Sequence, residues 1–220
     1  MIHEMKRAFK LLPYAYNFKA NLFLGGTFVL GGFILVMLTG GDMVWGRYGG
    51  LLAMAGGFFP SQMIFSLGVS EEVLVSPLRK TLFTKAIAML NWLMFAGIYL
   101  ISALIRGIQC GGNPMLLSMA CRELVLMAVF GTIIMVYGAM ALKYFWLPTI
   151  MFCSIYPMVN MFWGDVSIKL ESGIVSYGLM AAAGFVILLI GAVLGYGISL
   201  LIYRKPISKM SQNASLRQYM

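Results

Sequence analysis

Long uncharged, apolar intervals separate short clusters of charge along this chain, and their lengths predict its elements. The intervals run between Lys19 and Asp42, Arg47 and Glu71, Lys85 and Arg106, Glu123 and Lys143, Lys143 and Asp165, and Glu171 and Arg204. Each reaches the roughly 17 to 20 residues that carry an α-helix across a hydrocarbon core about 30 Å thick. A charge at mid-membrane costs about 2.5 to 3.5 kcal/mol, so charge-free length is the sharpest count of crossings. The last interval is long for one crossing and short for two, which predicts one overhanging or tilted helix over residues 175–203. The pattern predicts an all-α, polytopic membrane protein with six transmembrane helices in a single domain, residues 20–203. Ahead of it, Met5, Phe9, Leu12 and Tyr16 share one helical face while Lys6, Arg7 and Lys10 take the other. That predicts an amphipathic interfacial helix within residues 1–19, ended or kinked at Pro13. The polar residues 204–220 read as a tail.

Composition agrees with the pattern. Of 220 residues 61% are hydrophobic and 10% charged, and the mean hydropathy is +0.89, far from the make-up of a soluble domain. The formal net charge of +9 is distributed unevenly. Twelve of the 16 lysines and arginines fall in the two terminal segments, the 70–85 loop and Lys143; Arg47, Arg106, Arg122 and Lys169 fall on the other side. By the positive-inside rule both termini and the 70–85 loop are cytoplasmic, which places the chain in a plasma or inner membrane. The basic charge then reflects topology and the lipid surface, with no nucleic acid implied.

The loop SEEVLVSPLRKTLFTK, residues 70–85, is richer in signals than a return of the chain needs. Ser70 is an N-cap with Glu71 and Glu72 in the first turn, and Ser76 with Pro77 is a second helix start. A short helix at the membrane surface, followed by a helix running from Pro77 into the third crossing, predicts a docking surface. The uncharged intervals hold no group that binds a driving ion, and the one histidine, His3, lies outside them. There is no metal-site pattern. No protease or hydrolase constellation and no Gly-x-x-x-x-Gly-Lys loop is present. The chain is expected to be a non-catalytic subunit with no cofactor of its own.

These features resemble one family, the membrane-spanning permease subunits of bacterial type-2 ABC exporters. The likeness lies in the cytoplasmic amphipathic start, six crossings with both ends inside, and the structured loop between the second and third crossings. Its most specific part is SPLRKTLFTKAI, residues 76–87, with Pro77, Arg79 and Lys85 in the positions of that family's Pro, Arg and Lys. The resemblance implies a separate ATPase subunit that binds ATP and Mg. That subunit would be contacted through Ser70, Glu71, Glu72, Val73, Leu74, Ser76, Pro77, Leu78, Arg79 and Lys80. It also implies a second permease copy, or a similar permease, to complete the pathway. Residues 164–172 are too few for the re-entrant helices of larger members.

The expected cargo is hydrophobic or amphipathic, such as a peptide or drug, because 19 methionines and 15 phenylalanines form a soft, repackable interior. Gln62, Asn91 and Asn160 are the most polar groups within the crossings; they either bond between helices or line a path. Pro148 and Pro157 interrupt the fifth crossing. Gly184, Gly191 and Gly195 suit close helix packing, within the chain or between copies. Cys110 and Cys121 are placed to pair if the outside is oxidising. A non-transporting immunity or regulatory protein is the alternative reading, and a secondary carrier ranks third.

Overall fold

The computed structural model describes residues 10–15, 18–39, 43–67, 79–141 and 174–203, and among these there is no strand. A short 3₁₀ turn, Leu12–Tyr14, contains Pro13 near its start, where a proline is tolerated. The helices that follow are α1 (Phe18–Leu38), α2 (Met43–Gly56), α3 (Phe59–Leu67), α4 (Arg79–Cys110), α5 (Pro114–Ala141) and α6 (Ile174–Tyr203). Four of them, α1, α4, α5 and α6, are long and apolar enough to cross a membrane. The expected fifth crossing, most of the N-terminal amphipathic helix, the short helix of the 70–78 stretch and the C-terminal tail lie outside the described residues.

The expected second crossing is two helices in series. Its chain meets Gly56, Gly57 and then Pro60, and the α-helical ladder gives way to i−3 bonds: Gly57 N–H to Met54 O at 3.0 Å and Phe58 N–H to Ala55 O at 3.1 Å. Proline is tolerated at the start of α3 because the first turn has no partner for its missing N–H. Gly57 also lets the Phe95 ring of α4 approach the backbone; a Cβ there would lie 2.7 Å from that ring.

Contacts fix the direction of each helix. Gly32 of α1 meets Gly49 and Ala53 of α2, and Gly25 meets Gly56 and Phe59, so α1 and α2 are antiparallel with backbones in direct contact. Gly50 faces Met127 and, further along, Gly138 faces Ser61, so α2 and α3 together run parallel to α5. Helix α6 also runs parallel to α5: Gly131 lies under Leu188 and Gly195 beside Met135, and Thr132 Oγ1 donates to Ile187 O at 3.2 Å. Ala141 and Ile174 therefore lie at opposite ends of the bundle. Helix α5 is central, with 61% of its apolar window buried; α1 and α6, with 17% and 22%, are peripheral. The main core joins Met54, Phe95, Tyr99, Leu124, Met127 and Leu188, with the rest of their helices packed round them.

Helix α5 begins well before the interval that opens at Glu123. Asn113 caps it, its Oδ1 accepting the Met115 N–H at 3.0 Å, and Pro114 takes the first position. Helix α4 likewise runs past Arg106 to Cys110. Arg106, Arg122 and Glu123 thus lie within helices, which run past the ends of the uncharged intervals.

Candidate functional site

Tyrosine hydroxyls seal the seam between α4 and α6 over one half of its length. Tyr177 Oη donates to Ala103 O at 2.6 Å and Tyr99 Oη to Ala181 O at 3.0 Å. Gly184 lies directly beneath the Tyr99 hydroxyl, where no Cβ could fit. Beyond these bonds Trp92 meets Phe185 edge-on, 6.0 Å between ring centroids, and past that contact a groove opens between the helices before they meet again at Tyr203.

The opening is a groove of about 380 Å³. Its walls are two antiparallel stripes: Lys85, Ala88, Met89 and Trp92 on α4, and Leu189, Ala192, Val193 and Tyr196 on α6. Both stripes have the i, i+3, i+4, i+7 spacing of one helical face. Ala88 and Ala192 also line a smaller cavity of about 10 Å³ on the bundle side, with Asn91, Met135, Gly195 and Ser199. Two small side chains therefore divide an apolar groove from a water-sized space that holds the polar groups of Asn91 and Ser199.

Asn91 is 3% exposed and its Oδ1 accepts a hydrogen bond from Ser61 Oγ of α3 at 2.7 Å. Ser199 Oγ on the opposite wall is buried without a partner. Of the residues expected to line a path, Asn91 stands in this cavity. Gln62, half-buried on α3, lines neither the groove nor the cavity; Asn160 lies outside the described residues. Ser61, Ser199 and the two alanines are additions from the structure.

One end of the groove adjoins the helix start expected to follow the docking loop. Of the expected ATPase-contact residues, Ser70 through Leu78 lie outside the described residues, and Arg79 and Lys80 open α4. The Arg79 guanidinium sits 6.0 Å from the centre of the Tyr203 ring, at the last residue of α6. Lys80 is exposed, and its carbonyl accepts Thr84 Oγ1 at 2.6 Å. Residues Leu82–Ala86 form a π turn inside α4, a feature concentrated at functional sites. Leu82, Phe83, Ala86 and Ile87 bury their side chains with Ala15, Met63, Ile64 and Leu67, and Tyr203 packs against the same cluster. The start of α4, the end of α3, the N-terminal turn and the end of α6 therefore share one apolar knot.

At the other end of the bundle, charge is buried. Arg106, 2% exposed, and Glu123, 4% exposed, form a two-point pair: Nη2 donates to Oε1 at 3.0 Å, and Nε lies 2.9 Å from Oε2, which accepts no well-directed hydrogen bond and is held by charge. Arg106 Nη1 donates to Gln109 Oε1 at 3.2 Å, and Gln109 Nε2 donates to the Val36 and Met37 carbonyls at 3.0 and 3.2 Å. Those carbonyls are among the orphan acceptors of the α1 C-terminus. Gly46 of α2 packs directly on the guanidinium, leaving no room for a Cβ. Four helices thus meet on one arginine. Cys110 and Cys121 nearby are buried free thiols, not a disulfide. Gly184, Gly191 and Gly195, open in the sequence to either use, pack inside the chain, against Tyr99, Thr132 and Met135.

Comparison with protein-family models, with curated proteins and with solved structures finds no match to this chain. Among the described residues no cluster of His, Cys, Asp or Glu suits a metal ion.

Proposed function

We propose that this chain is the membrane-spanning permease subunit of an ATP-driven exporter, paired with a separate ATPase that docks on residues 70–80 from the cytoplasm. Its cargo in this reading is amphipathic. The observation that carries the proposal is the lateral groove between α4 and α6, which only the small side chains of Ala88 and Ala192 separate from the cavity beside Asn91 and Ser199. An apolar tail fits the groove, and a shift of those two alanines would open it to the polar groups behind them. Helix α4 forms one wall and also begins at the proposed ATPase contact, so a push on its Arg79 end acts through the π turn and the Tyr203 contact on both walls together. A second copy, or a similar permease, would complete the pathway.

The test is to purify the chain with the ATPase encoded beside it and measure ATP hydrolysis. A stable complex whose hydrolysis falls with Glu72→Arg and with Arg79→Glu is the expected result. Absence of any complex would sink the exporter reading and favour a regulatory or immunity protein. Ala88→Phe, which fills the passage, is expected to abolish stimulation of hydrolysis by amphipathic peptides, and a variant still stimulated would remove the groove from the path.

A further inference from the structure

The groove between α4 and α6 carries one cation, Lys85, to which the described residues offer no counter-charge. Lys85 is half-buried in its wall, yet among the described residues no carboxylate and no hydrogen-bond acceptor meets it. The Arg106 charge, by contrast, is neutralised by Glu123. A cation set against an apolar wall is a natural seat for an anionic group of a ligand.

We propose that this groove is a binding site for one anionic phospholipid, its phosphate on Lys85 and an acyl chain along Met89, Trp92, Leu189 and Val193. Three features choose this occupant. First, Lys85 stands at one end of the groove and the apolar residues extend from it, the order of charge and tail in a lipid. From Lys85 to Trp92 the wall is about 10 Å long at 1.5 Å per residue, enough for the upper part of one chain. Second, Lys85 lies about 9 Å along the axis from Arg79, and a helical side chain leans toward the N-terminus, so its ammonium is carried toward the Arg79 end of the groove as a snorkelling lysine is. Third, Arg79 and Lys80 at the same helix end add positive potential that favours anionic over zwitterionic lipid. A neutral amphiphile would fill the apolar wall and leave the ammonium unanswered. The site shares its groove with the cargo of the exporter reading but requires neither an ATPase nor transport, so the two are tested separately.

Trp92 in the groove wall provides the probe. The variant Trp45→Phe, Trp146→Phe, Trp163→Phe leaves Trp92 as the sole tryptophan, and its fluorescence is measured in vesicles holding a minor fraction of brominated lipid. Brominated phosphatidylglycerol in phosphatidylcholine is expected to quench Trp92 several-fold more than the same fraction of brominated phosphatidylcholine in phosphatidylglycerol. Lys85→Gln should erase that preference and Lys85→Arg should keep it. Equal quenching by the two lipids, or a preference that survives Lys85→Gln, would overturn the site. If the triple variant does not fold, native mass spectrometry of the unaltered chain with both lipids replaces it. Retention of phosphatidylglycerol that Lys85→Gln abolishes supports the proposal, and indiscriminate retention refutes it.

Discussion

Removing one member of the Arg106–Glu123 pair strands the other in an apolar bundle, whereas removing both does not. Glu123→Ala is expected to lower stability by about 3 to 5 kcal/mol, the cost of an uncompensated buried charge. Arg106→Met combined with Glu123→Leu should recover most of that loss, since a buried pair contributes little beyond an apolar filling of similar size. Unfolding in mixed detergent and SDS, followed by circular dichroism, reads both, and a double variant as weak as Glu123→Ala would contradict the account. Glycine positions make an equally local contrast. A Cβ on Gly32 would lie 2.6 Å from the Gly49 carbonyl oxygen and 2.5 Å from the Ala53 nitrogen, whereas one on Gly31 meets nothing within 4 Å. Gly32→Ala should therefore destabilise the chain. Gly31→Ala should be neutral or stabilise it by up to about 1 kcal/mol, through the lower backbone entropy lost on folding. The same unfolding assay separates these neighbours, and equal effects would mean that α1 and α2 do not touch as described.

At the scale of the element, the π turn Leu82–Ala86 sets the angle between the start of α4 and the remainder. The turn holds one residue more than an α turn, so deleting one residue from it should restore a plain α-helix with the Arg79 end nearly in register, whereas adding one residue to the regular helix after Ile87 should rotate that end by about 100° relative to Trp92. Cysteines in place of Arg79 and Tyr203, in a background lacking the native cysteines, are expected to cross-link in the parent helix and the deletion and not in the insertion. Loss of the cross-link in the deletion would show that the turn does not absorb one residue. How far such elements were legible depends on what ends them. Helix α6, whose sequence carries no charge between Glu171 and Arg204, was predicted over residues 175–203 and spans Ile174–Tyr203. The start of α5 was misplaced because Glu123 does not leave the helix once Arg106 neutralises it; the informative signal was Asn113-Pro114, a cap and a first-turn proline. The break between α2 and α3 was likewise written in Gly56, Gly57 and Pro60, which counting uncharged residues cannot detect. Asn91 stood out by polarity alone. The groove beside it did not, because its walls lie about a hundred residues apart in the chain and only packing brings the stripes together.

For the molecule as a whole, the antiparallel and parallel contacts place α1, the α2–α3 series, α4, α5 and α6 side by side, with the most apolar contact at the centre of α5. The charge-rich ends then differ in kind. One gathers the cations Arg79, Lys80 and Lys85 at the start of α4; the other buries Arg106 against Glu123. Movement of an unpaired charge through a membrane field involves about 2.3 kcal/mol per elementary charge per 100 mV. The Arg106–Glu123 pair moves as a neutral unit, so rearrangement of the helices it joins does no net electrical work through these two groups. Their conformational equilibrium is thereby insulated from the transmembrane voltage: a potassium diffusion potential imposed on vesicles should leave the exposure of Cys110 and Cys121 to a permeant thiol reagent unchanged in the parent chain. With Glu123→Gln, which leaves the arginine charge alone in the field, the same thiols should become voltage-sensitive.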